Sequence, residues 1–197
     1  MSLKSLVKLS NVNNLSDARY GAGMGVGMMG FPLDEGSSVS IEQFKEITSW
    51  VEGPQLVAEF DDPDTNRILE VISSCHPDII QLRETNLLSA LSHIEIPVIL
   101  SWPIGKMEAV PQHFTIDYLL IEPEGNAELS TAQKETIKIL AKDYKVLLGA
   151  GINPANVMAL IEELPVEGLS LKGGDEIRAG YKDYDELADI LELLEED

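Results

Sequence analysis

The sequence alternates short apolar runs with helix-like segments eight times between its ends. The apolar runs are typical of β-strands, and they are Leu6–Ser10, Val26–Gly30, Gln55–Phe60, Asp78–Leu82, Ile96–Ser101, Asp117–Ile121, Lys145–Leu148 and Glu167–Leu171. Such unbroken alternation indicates a parallel sheet with helical crossovers. An open doubly wound sheet shows the same alternation, but the count of eight and the lack of a long linker favour a closed barrel.

We therefore predict an α/β fold, a (β/α)8 TIM barrel, as a single compact domain over residues 1–197 with short loops. The chain has 197 residues, whereas such barrels usually run to about 250. Ser40 and Ser130 each precede a Gln by three residues, which predicts capping boxes at two helix starts. Asp62-Pro63 and Asn153-Pro154 predict a proline at a first helical position. The segments 84–92 and 104–112 have the weakest helical patterns.

Composition restricts the partners. The net charge of −20 argues against nucleic acid and anionic membranes, which need a positive surface. Cys75 is the only cysteine, so an intramolecular disulfide is excluded. The three histidines show no metal-ligand spacing, and we expect no metal site. We find no leader or membrane span in the sequence, and we expect a cytoplasmic protein.

Two glycine-rich turns follow the last two predicted strands. The first contains Gly149, Ala150 and Gly151, and the second runs from Lys172 through Gly173 and Gly174 to Glu176. Glycine lets backbone N–H groups approach an anion closely, and barrels commonly bind phosphate in the loops after strands 7 and 8. These turns predict a site for a phosphorylated small molecule, although each alone is also typical of a simple tight corner.

The same turns resemble the phosphoribosylanthranilate isomerase family. The segment 148–157, LGAGINPANV, is similar to the family's LAGGLNPxNV, and 172–183, KGGDEIRAGYKD, is similar to SSGVE followed by PGxKD. Towards the start, 7–12, VKLSNV, stands where the family has VKICGI. Asp17-Ala18, Gly30-Phe31 and Gln81-Leu82 match its DA, GF and QL. The resemblance covers nearly the whole chain in order.

This resemblance implies the chemistry of the family, which is an Amadori aldose-to-ketose isomerisation of N-(5-phosphoribosyl)anthranilate in tryptophan biosynthesis, without a cofactor. An acid protonates the furanose ring oxygen and a base takes the C2 proton. The family's basic cysteine corresponds to Ser10, and its acidic aspartate to Glu122. A serine hydroxyl is a far weaker acid than a thiol, so little alkoxide forms without an activating base. Glu122 is alternatively a solvated residue at a strand end.

Other positions depart from the family pattern. Residues 36–38, GSS, replace an SPR whose arginine lies near the substrate, and a GGTG loop after strand 6 is missing. Arg83, with Glu84, replaces HG, and it can bind a ligand carboxylate or form a surface ion pair with Glu84. Trp102 can stack on an aromatic ligand or pack in the fold. The phosphate end is thus kept, while the proton-transfer end is rewritten.

Three functions remain open at this point. The first is a working isomerase that uses Glu122 with Ser10 or a water held by Ser10. The second is a pseudoenzyme that binds a phosphorylated ligand without turnover. The third is a related sugar-phosphate enzyme using Glu122, Asp61, Arg83 and Glu176 on another substrate. The chain is expected to be a monomer or a homodimer.

Overall fold

The computed structural model describes residues 2–61, 64–109, 115–125, 127–174, 176–178 and 181–196. Its eight parallel strands are β1 (Leu6–Ser10), β2 (Met28–Pro32), β3 (Gln55–Glu59), β4 (Ile79–Leu82), β5 (Val98–Pro103), β6 (Tyr118–Glu122), β7 (Val146–Leu148) and β8 (Gly168–Lys172). Neighbouring strands pair in sequence order, and β8 pairs with β1 from Leu6↔Gly168 to Ser10↔Lys172. The predicted closed (β/α)8 barrel is confirmed.

The described residues form seven α-helices, six between strands and one after β8: α1 (Leu15–Gly23), α2 (Ile41–Thr48), α3 (Thr65–Cys75), α4 (Thr85–Ala90), α5 (Thr131–Leu140), α6 (Val157–Glu163) and α7 (Asp185–Leu193). The crossover after β5 carries a 3-10 helix instead, Ile104–Ala109. The weak pattern over 84–92 thus corresponds to a short helix, and that over 104–109 to a 3-10 helix, while residues 110–112 lie outside the described residues. None of the helices among the described residues is long and apolar enough to cross a membrane.

Local sequence signals predicted two helix starts correctly and one incorrectly. Both predicted capping boxes form, at Ser40 with Gln43 and at Ser130 with Gln133. The prediction of Pro154 as a first helical residue is wrong, because α6 begins at Val157 and Asn153 instead accepts hydrogen bonds from the N–H groups of Ala155 and Asn156. Asp62-Pro63 lies outside the described residues, and Asp64 caps α3.

Strands β2 and β5 are shifted by two residues from their predicted ranges, and a hairpin is added after β8. Strand β2 begins at Met28 rather than Val26, because the N–H of Val26 bonds the carbonyl of Gly21 at the end of α1. A short antiparallel hairpin, β9 (Glu176–Arg178) with β10 (Tyr181–Lys182), stands between β8 and α7. The alternation of apolar runs in the sequence did not predict this hairpin, because each of its strands spans only two or three residues.

Buried apolar side chains form two layers. The larger lies between the strands and the surrounding helices and includes Phe31 and Phe44, whose rings meet edge to face with centroids 5.0 Å apart. The smaller fills the barrel and consists of Met28, Val57, Ile79, Ile99, Leu120 and Leu147. Since all six are at most 3% exposed, the lower barrel is a packed core, and any ligand must bind above it.

Candidate active site at the barrel mouth

The residues above the apolar core are set by strand periodicity. Side chains two positions apart share a face of a strand, so each strand places its next inward residue at the carboxyl end of the barrel, where barrel enzymes have their sites. Counting two residues on from the six core side chains gives Gly30, Glu59, Gln81, Ser101, Glu122 and Gly149. The six inward positions directly above the apolar core therefore carry polar side chains or are glycines.

The two glycine turns meet at one cavity, of about 670 Å³. Its lining residues include Gly149 and Gly151 from the first turn and Lys172, Gly173 and Gly174 from the second. The convergence predicted from the sequence is thus present. Two carboxylates, Asp183 and Glu186, also line this cavity from the start of α7.

Gly151 shows why this turn needs glycine. Its φ is +69°, a backbone conformation that side-chain-bearing residues rarely adopt. A Cβ there would also lie 2.9 Å from Cγ of Leu129. Ala150, between the two glycines, is 2% exposed and packs in the outer core, so only its backbone belongs to the turn. Glu176 lies in β9.

A second cavity, of about 390 Å³, opens over the centre of the barrel. It is lined by both predicted catalytic residues, Ser10 and Glu122, and by Arg83. The two cavities share five lining residues, which are Pro123, Gly149, Ser170, Leu171 and Lys172. The glycine turns and the proposed proton-transfer residues therefore line two adjoining cavities with a common wall.

A buried charge pair lies beneath Ser10. Lys8 is fully buried and its ammonium forms an ion pair and short hydrogen bond with Oε1 of Glu59. The same ammonium donates to Oγ of Ser10 at 2.7 Å, and Ser10 Oγ lies 2.9 Å from Oγ of Ser170. Burying a charge is costly unless it is paired and hydrogen-bonded, and this network meets both conditions.

Glu59 also holds the chain that leaves β1. Its Oε2 accepts the backbone N–H of Asn11 at 3.0 Å, and Asn11 has a φ of +56°. Asparagine tolerates this left-handed conformation better than most residues. Gln81 is paired in register with Glu59, and its Oε1 is buried without a hydrogen-bond partner among the described residues. A buried polar atom without a protein partner needs a water molecule or a polar ligand group to satisfy it.

Arg83 bridges two carboxylates across the mouth. Its Nη2 lies 2.9 Å from Oε1 of Glu122, and its Nε lies 3.1 Å from Oδ1 of Asp61. Partial burial lowers the pKa of the guanidinium, but the charges of Glu122 and Asp61 outweigh it and leave the pKa raised. The partners of Arg83 are thus Glu122 and Asp61, rather than the adjacent Glu84 that the sequence suggested. The bridge fixes the Glu122 carboxylate at the cavity.

A further buried pair connects an early and a late segment of the chain on the mouth side of the barrel. Lys182 in β10 donates to Oδ2 of Asp17 in α1 and to the carbonyl of Asn11, at 2.7 Å each. The hydroxyl of Tyr184 donates to Oδ1 of Asp17, and the Tyr184 ring stacks on Tyr20 with centroids 4.8 Å apart. This clamp attaches the hairpin after β8 to the loop after β1.

Trp102 takes the packing role. Its indole N–H donates to the carbonyl of Lys106 at 2.6 Å, and its ring packs against the outer core. Within the described ranges, no group of three or more His, Cys, Asp or Glu side chains is arranged to hold a metal ion.

Sequence reasoning missed Glu59 and underestimated Lys8. Lys8 lies two residues before Ser10 on the same face of the strand, and its long side chain reaches Ser10 directly. Glu59 had a signal, since a lone carboxylate in the apolar run LVAEF, two residues after an inward Val57, must point into the barrel. Gln81 was noted only for its match to a motif.

The sequence model described as N-(5'-phosphoribosyl)anthranilate isomerase matches residues 12–193. No curated protein sequence matches the chain. The phosphoribosylanthranilate isomerase of Thermus thermophilus is 22% identical, with 95% of this chain and 96% of that chain covered and a TM-score of 0.77. Monomers derived from the dimeric enzyme of Thermotoga maritima are also 22% identical, with coverages of 95% and 97% and a TM-score of 0.73.

A third solved structure is phosphoribosylanthranilate isomerase in complex with reduced 1-(o-carboxyphenylamino)-1-deoxyribulose 5-phosphate, at 21% identity, coverages of 95% and 97% and a TM-score of 0.73. At such identities the structural likeness shows the shared barrel fold. The family match spans nearly the whole chain and agrees with the motifs in the two glycine turns. The chain therefore belongs to the N-(5'-phosphoribosyl)anthranilate isomerase family, the isomerases of tryptophan biosynthesis, as its sequence predicted.

Proposed function

We propose that this chain, acting as one barrel domain over residues 1–197, itself turns over N-(5-phosphoribosyl)anthranilate by an Amadori rearrangement that needs no cofactor. The observation that carries the proposal is the shared wall of the two cavities, in particular Gly149, Ser170 and Lys172. A substrate with a phosphate at one end and a sugar ring beside it would occupy both cavities at once. A structure of a relative bound to a phosphorylated product analogue supports this reading.

The phosphate would bind on the glycine side. Gly151 and Gly173 expose backbone there without side chains, and Lys172 at the end of β8 supplies the positive charge. Gly149, Ala150 and Gly174 shape the two turns, and the N–H of Gly174 is already used by the carbonyl of Asp183. The acidic neighbours Asp183 and Glu186 restrict the anion to the part of the cavity next to Lys172, since like charges repel. We also propose Glu176, in β9, as a residue of the phosphate side.

The sugar would bind over the barrel centre. Glu122 would donate a proton to the ring oxygen, because it lines this cavity and is held there by Arg83. Ser10 would lie on the side of the sugar opposite Glu122, and the C2 proton would be taken from that side. Arg83 is 46% exposed, so its guanidinium can also reach a ligand carboxylate while it holds Glu122. The partner is thus a phosphorylated small molecule, bound by a monomer or homodimer.

The test is isomerase turnover by the purified protein, with the substrate generated in the assay, beside growth rescue of a tryptophan auxotroph that lacks this step. We expect turnover and rescue. Tight binding of the reduced product analogue without turnover would favour the pseudoenzyme. Absence of both binding and turnover would favour a different sugar phosphate as substrate, bound at the same mouth.

A Ser10→Cys variant sharpens this test. If turnover appears only in the variant, the scaffold has lost one group and is otherwise intact. If both proteins are silent, the sugar side of the mouth has diverged as a whole.

A further inference from the structure

We infer that Glu59, at the end of β3, is the base that takes the C2 proton, and that Lys8 and Ser10 are positioning residues that hold it. The inference rests on the proposed isomerase function and names a catalytic group that the family motifs do not contain. It follows from three features of the described residues, namely the position of Glu59, the hydrogen bonding of Ser10 and the unpartnered Gln81.

Glu59 is held at the floor of the sugar cavity. Its side chain is 11% exposed and lines that cavity, with Lys8 on Oε1 and the N–H of Asn11 on Oε2. A carboxylate offers about four acceptor sites, so these two bonds fix the orientation of Glu59 and leave lone pairs unused on a residue that lines the cavity. Gly30 provides the space, because a Cβ there would lie 2.8 Å from Nζ of Lys8 and collide with the Glu59 carboxylate.

The hydrogen bonds of Ser10 work against a role as base. An ammonium can only donate, so Ser10 Oγ accepts from Lys8, and its remaining close contact is with Ser170. To act as a base, the hydroxyl would first have to lose its own proton. In the described part of the chain, the groups hydrogen-bonded to Ser10 Oγ are Nζ of Lys8, which donates to it, and the hydroxyl of Ser170, and neither is a base that would remove its proton.

Gln81 indicates where the substrate would lie. Gln81 is 6% exposed and is paired with Glu59 in the strand register. Its Oε1 has no hydrogen-bond partner among the described residues. Gln81 lines the sugar cavity, and a rotation of its amide group would turn Oε1 towards a sugar hydroxyl that donates to it. This contact would also bring the carbon that bears the hydroxyl next to the Glu59 carboxylate.

The proton balance uses two carboxyl groups. Glu122 gives a proton to the ring oxygen as its bond to C1 breaks, which leaves a protonated imine between C1 and the nitrogen. Glu59 takes the C2 proton, the C–H electron pair forms the C1=C2 bond, and the imine π electrons return to nitrogen. The enol then moves its hydroxyl proton to C1 by exchange with solvent, giving the ketone. Proton transfer from Glu59 to Glu122 through solvent restores both groups.

The experiment measures isomerase kcat for the wild-type protein, Glu59→Gln, Glu59→Asp and Ser10→Ala, with Glu52→Gln as an exposed control. We expect Glu59→Gln to lower kcat at least about 100-fold. We expect Glu59→Asp to recover part of this loss, Ser10→Ala to lose less than about tenfold, and the control to match wild type. A Glu59→Gln variant within tenfold of wild type, or a Ser10→Ala variant as impaired as Glu59→Gln, would overturn the assignment while leaving the proposed function intact.

Glu59→Gln leaves the buried Lys8 without its counter-charge, which disfavours folding, so a second variant is tested that removes both charges. Lys8→Met combined with Glu59→Ala removes both charges and leaves a space at the carboxylate. Added formate is expected to raise its turnover at least about tenfold, because a small carboxylate can replace the missing base. A folded double variant that formate does not activate overturns the assignment. Wild-type protein without turnover would overturn the proposed function and the role of Glu59 together.

Discussion

The two sides of the barrel mouth are built by different means. The side after β7 and β8 consists largely of backbone, with glycines that remove side chains and a single lysine at the end of a strand. The side formed by β1, β3, β4 and β6 consists of charged and polar side chains that hold one another in place, from Lys8 and Glu59 to Arg83 and Glu122. A site built from backbone keeps its geometry when surrounding side chains are substituted. In a site built from side chains that contact one another, a substitution at one residue requires compensating substitutions at its partners.

This difference explains how the chain departs from its family. In the glycine turns, Gly151, Gly174 and Glu176 match the family motif, and Gly151 needs its positive φ. On the other side, Ser10 replaces the cysteine of the family motif, and a lysine–glutamate pair lies directly beneath it. The rewritten side is nevertheless well connected, since its charges are paired in the described structure.

The largest effect is expected from Glu122→Gln, which removes the acid without changing the size of the side chain. General acid catalysis contributes about 10²–10⁴ in rate, so kcat should fall by about that factor while KM changes little. The measurement is steady-state turnover, with the exposed Glu128→Gln as the matched control. A Glu122→Gln variant with unchanged kcat would show that the ring opens without help from the charged side of the mouth.

The next largest effect concerns the clamp that joins the two sides. Asp17→Asn leaves Lys182 buried without its counter-charge, and breaking a buried ion pair costs about 3–5 kcal/mol. The free energy of unfolding, measured in urea, should drop by about that amount. The exposed pair of Lys134 with Glu163 provides the control, because Glu163→Gln should leave stability unchanged within error. Equal effects at both pairs would mean that burial of the clamp is not what stabilises it.

The sequence predicted the backbone side better than the side-chain side, for a physical reason. The glycine turns follow two strands directly, so their convergence depends only on closure of the barrel and on local geometry. The bridge between Arg83 and Asp61 joins residues 22 positions apart, and the Lys182–Asp17 clamp joins residues 165 apart. Contacts of this kind depend on strand order and side-chain length together. Strand alternation predicts which residues face inward, but not which of them will meet.

Lys172 offers a smaller test, confined to the backbone side. Lys172→Gln removes the charge next to the glycine turns and should raise KM about tenfold, equivalent to roughly 1.4 kcal/mol of binding. We expect kcat to stay near wild type, because a phosphate contact made equally in the bound substrate and the transition state affects binding only. Lys142→Gln, exposed and distant, is the control. A loss in kcat instead of KM would show that the two sides of the mouth do not act separately.

The smallest effect is predicted for Tyr20, which stacks on the clamp residue Tyr184. Burial, and then the charge of Glu192, raise the pKa of Tyr20 above its usual 10.0. The folded state therefore holds the phenol proton more tightly than the unfolded chain does. This contribution to stability is fully present below pH 10 and is lost as the pH rises through the raised pKa.

Tyr20→Phe should make the alkaline fall in unfolding free energy shallower. It should leave neutral stability nearly unchanged, because the hydroxyl has no hydrogen-bond partner among the described residues. The fall will not disappear, since burial also raises the pKa of Tyr144. Urea unfolding at a series of pH values up to about 11, one unit above the ordinary tyrosine pKa, measures the difference. Parallel curves for the two proteins would contradict the prediction. They would show that the loss of stability at alkaline pH comes from residues other than the tyrosine stacked on the clamp.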